Sequence, residues 1–188
     1  MKHMNSTRFS FIFYVSCISY TRGFFTNIPF PVMRPGQITP KPDMKMIDNK
    51  LDTRKTVVKF GGSSLKSPER IQNIGNILKD MISNGVEPVV ICSAIGDTTT
   101  NILDIGTDCT HKGFSGIDEI RKTHLYICDT LEIDVSTKKD VLSLLDEMES
   151  LLHGVSLIGE LSDRNKDRIV SFGERMSVRI ISSFLRRI

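Results

Sequence analysis

Hydrophobic and polar positions change rhythm several times along this chain, and each change marks an element. Lys55-Thr56-Val57-Val58-Lys59-Phe60 is a β-branched and aromatic run stopped by Gly61-Gly62-Ser63-Ser64, the pattern of a strand ending in a turn. Ser67 then stands as a helix N-cap with Pro68 at the first helical position. Ile71, Ile74, Ile77, Leu78, Met81 and Ile82 follow on one helix face until Gly85 stops it. Val86-Glu87-Pro88-Val89-Val90-Ile91-Cys92-Ser93-Ala94 is nearly unbroken apolar text, which predicts a strand covered on both faces. Strand, helix and strand within about 40 residues form a βαβ unit and predict a parallel sheet of the α/β class.

A helical rhythm dominates the remainder. The loop from Ala94 to Asn101 leads into Ile102, Leu103 and Ile105. Residues 115–153 read as two helices, one with Ile117, Ile120, Leu125, Ile127, Cys128 and Leu131 in spacing, the other running from Val141 to Leu152. Ser162 or Asp163 opens a last long helix. In it Val170, Glu174, Val178, Ile181 and Leu185 recur in steps of four, four, three and four, which sets one carboxylate inside an apolar stripe. The text stops at Arg186-Arg187-Ile188 with no Gly or Pro terminator, so the pattern predicts a domain cut short there.

The opening residues follow a different rule. Residues 1–42 hold no acidic side chain, begin with Lys2 and Arg8, carry a short apolar run from Phe9 to Tyr20, and continue into Pro29, Pro31, Pro35, Pro40 and Pro42. An apolar run of about 12 residues is too short to span a bilayer as a helix. Residues 1–50 therefore read as a targeting leader, either a secretory signal alone or a signal followed by an organellar transit peptide, or as a disordered Pro-rich tail. Folded structure is expected over 53–188. Charge supports the division. Residues 1–50 contain seven Lys or Arg and two Asp or Glu, out of 25 and 22 in the whole chain, leaving 18 basic and 20 acidic side chains beyond. The net +3 is thus a property of the leader, and a nucleic-acid partner loses its main support. Cys17, Cys92, Cys109 and Cys128 lack C-x-x-C spacing, which argues against a zinc site or disulfide scaffold and for free, largely buried thiols. His124 and His153 stand isolated on helices and His111 near a helix end. None has a placeable Ser or Cys partner.

Three segments carry chemistry. A lysine in Val57-Val58-Lys59-Phe60 is costly to bury unless its ammonium leaves the strand end toward an anion, and Gly61 and Gly62 let backbone N–H groups approach that anion closely. This is a phosphate cradle in outline, though neither a Walker nor a Rossmann loop; an edge lysine beside a Gly-Gly turn accounts for the same residues. Ser93 and the loop Gly96 to Asn101 lie where open parallel sheets bind ligands, and their hydroxyls serve either a carboxylate or helix capping. In Ser171-Phe172-Gly173-Glu174-Arg175-Met176-Ser177, Arg175 and Arg179 are poorly spaced to pair with Glu174. Its partner is then a substrate ammonium or a distant structural arginine.

Taken in order, Val57-Val58-Lys59-Phe60-Gly61-Gly62-Ser63-Ser64, Val89-Val90-Ile91-Cys92-Ser93-Ala94-Ile95-Gly96-Asp97-Thr98-Thr99 and Ser171-Phe172-Gly173-Glu174-Arg175-Met176-Ser177-Val178-Arg179-Ile180 resemble the aspartate kinase branch of the amino acid kinase family. The resemblance covers about 55–188, the first part of that family's catalytic domain. It implies a three-layer αβα fold with a mainly parallel sheet, and ATP-dependent phosphorylation of the L-aspartate side-chain carboxylate, the entry to lysine, threonine, methionine and isoleucine synthesis. It implies Lys59 as the catalytic, phosphate-binding lysine; Lys59, Phe60, Gly61, Gly62 and Ser63 as the ATP phosphate loop; and Ser93, Thr99 and Glu174 as aspartate contacts, with ATP entering as its Mg2+ complex. Ser63 stands where Thr is usual, Ile95 where Met is usual and Thr100 where Asn or Asp often follows, and none of these removes a required group. The resemblance further implies a homo-oligomer when full length, no stable membrane association, and a plastid location for the leader, with a cytoplasmic one as the alternative. The family's nucleotide lobe and regulatory domains would follow Ile188, so the 188 residues alone are expected to be inactive. Related carboxylate kinases for glutamate or acetylglutamate, and a non-catalytic fragment, are the competing readings.

Overall fold

Seven regular elements and one short 3-10 turn make up residues 54–188, the part that the computed structural model describes; the expected leader, with Cys17, lies outside it. Strand β1 (Arg54–Phe60) pairs in parallel with β2 (Val86–Cys92), Val58 opposite Val90 and Phe60 opposite Cys92. The 3-10 turn Gly62–Leu65 and helix α1 (Pro68–Ser83) form the crossover between them. Then come α2 (Thr98–Cys109), α3 (Asp118–Thr130), α4 (Val135–Ile158) and α5 (Asp163–Arg187). The α/β class, the parallel pairing and the helix order agree with the sequence pattern.

Local chemistry sets the helix ends. Pro68 occupies the first turn of α1, though the Ser67 hydroxyl makes no capping bond. Asp134 caps α4 by accepting the Thr137 N–H at 2.8 Å, and Gly159, at φ 74°, ends it in the left-handed conformation. Ser162 caps α5 through the Asn165 N–H at 3.4 Å. At the far end of α5 the Ser183 hydroxyl donates to Asp134 at 2.6 Å, while Arg187 reaches Glu132 and the Leu131 carbonyl. The start of α4 is thereby bound to the end of α5. No helix among the described residues is long and apolar enough to cross a membrane.

Three expectations need correcting. Paired residues share a sheet face, so Val58, Phe60, Val90 and Cys92 look one way and Val57, Lys59, Val89 and Ile91 the other. Among the described residues α1 and α5 pack on the first face, where Pro88 lines a small cavity with Gly75, Leu78, Leu185 and Ile188. Val90 and Cys92 are buried, whereas on the other face Val89 and Ile91 are half-buried and Val57 of β1 is 66% exposed, so among the described residues that face is the less covered one. Ile77 and Ile82, read as core positions of α1, are likewise exposed. In α5 the deepest stripe is Ile169, Phe172, Met176, Ile180 and Phe184, with Ile181 the one member shared with the expected stripe. Val170, Glu174, Val178 and Leu185 are half-buried beside it. Both stripes have helical spacing, and the one carrying two Phe and a Met buries more area.

Candidate functional site

The site is built where both strands end. Beyond β1 the Phe60 carbonyl accepts the Ser93 N–H and the Gly62 carbonyl accepts the Gly96 N–H, each at 3.0 Å. These two bonds continue the parallel pairing past the sheet and bind the Gly61–Ser64 turn to the Ser93–Thr99 loop. The fit is close: a Cβ on Gly62 would lie 2.6 Å from the Gly96 oxygen and 2.9 Å from that of Ala94. The turn closes on itself through the Ser64 N–H to the Gly61 carbonyl at 3.0 Å, and Arg70 holds the Ser63 carbonyl at 2.6 Å. Gly61 differs from its neighbour. Its φ of −78° and ψ of 168° suit any residue, and a Cβ there meets nothing within 4 Å. The fold does not require glycine at that position; open space beside its backbone is what glycine preserves.

Helix α5 reaches the same loop from inside the molecule. A Cβ on Gly173 would stand 2.7 Å from the Ala94 Cβ and 3.7 Å from the Thr99 Oγ1, so the helix backbone rests directly on the loop. Glu174 follows immediately. Burial pushes its carboxyl up, and backbone N–H groups, including that of Ala94, draw it partly back. It forms no ion pair among the described residues. As the spacing implied, the nearby arginines are engaged elsewhere. Arg175 stacks on the Phe172 ring at 4.7 Å and pairs with Glu147 at 3.6 Å, and Arg179 donates to the Arg175 carbonyl at 2.8 Å.

The remaining expected residues fall around these contacts. Lys59 is exposed at the end of β1, on the sheet face opposite Phe60, and is in no ion pair among the described residues. Ser93 and Thr99 are half-buried, and neither hydroxyl is hydrogen-bonded among the described residues. Thr98, beside them, is buried and donates to the Ile95 carbonyl at 2.6 Å, so its role is structural. Asp97 holds the N-cap position of α2 without capping it; its carboxylate faces Lys66 at 3.6 Å. That pair joins the two loops and was missed, because no periodicity or motif links residues so far apart. Cys92 is buried and its thiol is pushed up to about 12, which removes it as a nucleophile at neutral pH. His124 is fully buried and His153 exposed, and neither adjoins these contacts.

Such an arrangement offers a cation, free hydroxyls, an open glycine backbone and an unpaired carboxylate around one loop. That set can hold an anion beside an ammonium.

Comparison with known proteins identifies the family. The model of the amino acid kinase family matches residues 54–188. Aspartokinase 1, chloroplastic, of Arabidopsis thaliana is 36% identical over 138 residues, covering 70% of this chain and 23% of that protein. Aspartokinase 3, chloroplastic, of the same plant is 34% identical over 145 residues, covering 74% and 25%. The crystal structure of Escherichia coli aspartokinase III with aspartate and ADP superposes with a TM-score of 0.59 at 22% identity, over 71% of this chain and 29% of that one. The chain thus spans about a quarter of the length of the curated relatives it matches.

Proposed function

The chain belongs to the amino acid kinase family, and from that premise we propose that it supplies the acceptor-binding part of an aspartate kinase. The reaction is transfer of the ATP γ-phosphoryl group to the side-chain carboxylate of L-aspartate. One observation supports this reading: the Gly61–Ser64 turn, through Gly62, and the helix segment bearing Glu174, through Gly173, each pack closely on the same Ser93–Thr99 loop. The relatives named as aspartokinases, one of them crystallised with aspartate and ADP, support the choice of substrates.

In this mechanism the Lys59 ammonium and the N–H groups of the open Gly61 turn, with Phe60, Gly62 and Ser63 framing it, hold the phosphates and neutralise charge that builds on the transferring oxygens. The Ser93 and Thr99 hydroxyls orient the acceptor carboxylate, and Glu174 receives the substrate ammonium. That cation stabilises a carboxylate which burial otherwise disfavours. The nucleophile is already ionised, so positioning rather than a general base sets the rate. No three His, Cys, Asp or Glu side chains among the described residues cluster to hold a metal, and in this reading Mg2+ arrives on the nucleotide. When bound, it screens phosphate charge. A plastid location belongs to the same proposal; the acid-poor leader and the chloroplastic relatives support it.

The test grafts residues 54–188 in place of the matching segment of the Arabidopsis aspartokinase 1 chain and traps acyl phosphate as hydroxamate. Hydroxamate is expected with aspartate and ATP and not with N-acetylglutamate, whose acylated amine has no charge for Glu174. Glu174→Ala should raise the aspartate KM about 10- to 100-fold, the worth of a charge-assisted hydrogen bond, and leave the ATP KM nearly unchanged. A folded chimera that binds ATP yet acts on glutamate or acetylglutamate, or an equal rise in both KM values, refutes the assignment.

A further inference from the structure

We propose that Lys66 is a positioning residue that neutralises Asp97 at the mouth of the site, so that entering anions do not meet its negative charge; the inference rests on the phosphate-loop reading above. Asp97 is the one acidic side chain of the Ser93–Thr99 loop, and a free carboxylate there would repel both a phosphate and a carboxylate substrate. Nothing in its own helix uses it, since it stands at the N-cap of α2 without accepting a backbone N–H. What faces it is the Lys66 ammonium at 3.6 Å, from the turn that carries Gly61 and Gly62.

The geometry holds Lys66 in place from below. Gly96, at φ 53°, turns the loop under the Lys66 stem, with Lys66 Cγ 3.5 Å from where a Gly96 Cβ would stand. Gly96 also donates its N–H to the Gly62 carbonyl, so the pair lies directly over the junction of the two loops. Both side chains remain largely exposed, at 62% for Lys66 and 73% for Asp97. An ion pair so wet adds little to stability, and its effect is on the local potential felt by an entering anion. Lys59 and Arg70 flank the same turn, and removing the Asp97 charge would make the rim more basic.

The experiment is calorimetric titration of the full 188-residue chain with inorganic pyrophosphate at low and at about 0.3 M salt, where charges beyond a Debye length of several ångströms are screened. Lys66→Met should weaken binding about threefold at low salt and little at high salt. Asp97→Asn should tighten it by a similar factor, and the double variant Lys66→Met with Asp97→Asn should return to the unsubstituted affinity. If the double variant stays as weak as Lys66→Met, the ammonium contacts the phosphate directly and compensation is wrong. Binding that ignores both residues also overturns the inference, while leaving the phosphate loop intact. Absence of pyrophosphate binding to the unsubstituted chain overturns the phosphate-loop reading and this inference together.

Discussion

In the α4–α5 pair, Leu145, Met148, Leu152, Phe172, Met176 and Ile180 are completely buried, whereas no described side chain of β1 is buried and Val57 is 66% exposed. Both regions are rich in apolar residues. The helices satisfy their backbone groups internally and can close a core with one another through a single face. A two-stranded parallel sheet has two faces and two edges to cover, and among the described residues helices reach only one face. The residues proposed to do chemistry lie on the open part: Lys59 on the uncovered face and Ser63 on an exposed turn. Glu174 comes from the closed part, carried in by a helix whose far end is bound through Asp134, Glu132 and Leu131. The molecule thus pairs a rigid scaffold with a strand end left accessible to ligand.

Substitutions can break this contrast at several levels. The largest effect is expected at Phe172, fully buried and central to the α5 stripe. Phe172→Ala should lower stability by about 3–5 kcal/mol in denaturant unfolding, whereas Val57→Ala should change it by less than about 0.5 kcal/mol. Equal losses would show that the two regions share one core. Next come the adjacent glycines. Gly62→Ala forces backbone oxygens of Gly96 and Ala94 apart and should lower stability by about 1–3 kcal/mol. Gly61→Ala meets no atom, should leave unfolding unchanged, and should weaken pyrophosphate binding alone.

Acid should loosen the helical region in two steps. His124 is buried with Nδ1 on the Ile120 carbonyl at 2.8 Å and no partner for Nε2 among the described residues, and burial pushes its pKa down. The unfolded chain takes up that proton near pH 6.5 and the folded chain does not. Stability is therefore full above about pH 6.5 and falls as pH drops below it. Asp134 is held well below the usual carboxylate range by the Ser183 hydroxyl and then by the Thr137 N–H and hydroxyl. Its stabilisation is present above about pH 4 and lost as pH falls further. Denaturation midpoints measured across this range should lose the upper step in His124→Asn and the lower step in Asp134→Ala.

Much of this arrangement was written into the chain. Period and punctuation gave the strand–turn–helix–strand order, because Gly61-Gly62, Ser67-Pro68 and Gly85 act locally on backbone conformation. The final helix from Ser162 was legible for the same reason. So was the isolation of Glu174 from Arg175 and Arg179, since helical spacing alone determines which neighbours can meet. Tertiary structure decided the rest. Two stripes of equal period competed in α5, and the larger volume of Phe172, Met176 and Phe184 placed Glu174 at the rim of the core, where a carboxylate can face both a loop and a ligand. The separate reasons for Gly61 and Gly62, the contact of Gly173 with Ala94, and the pairing of Lys66 with Asp97 depend on what lies across a gap between segments distant in sequence. Periodicity describes a residue's own element; only packing says what stands opposite it.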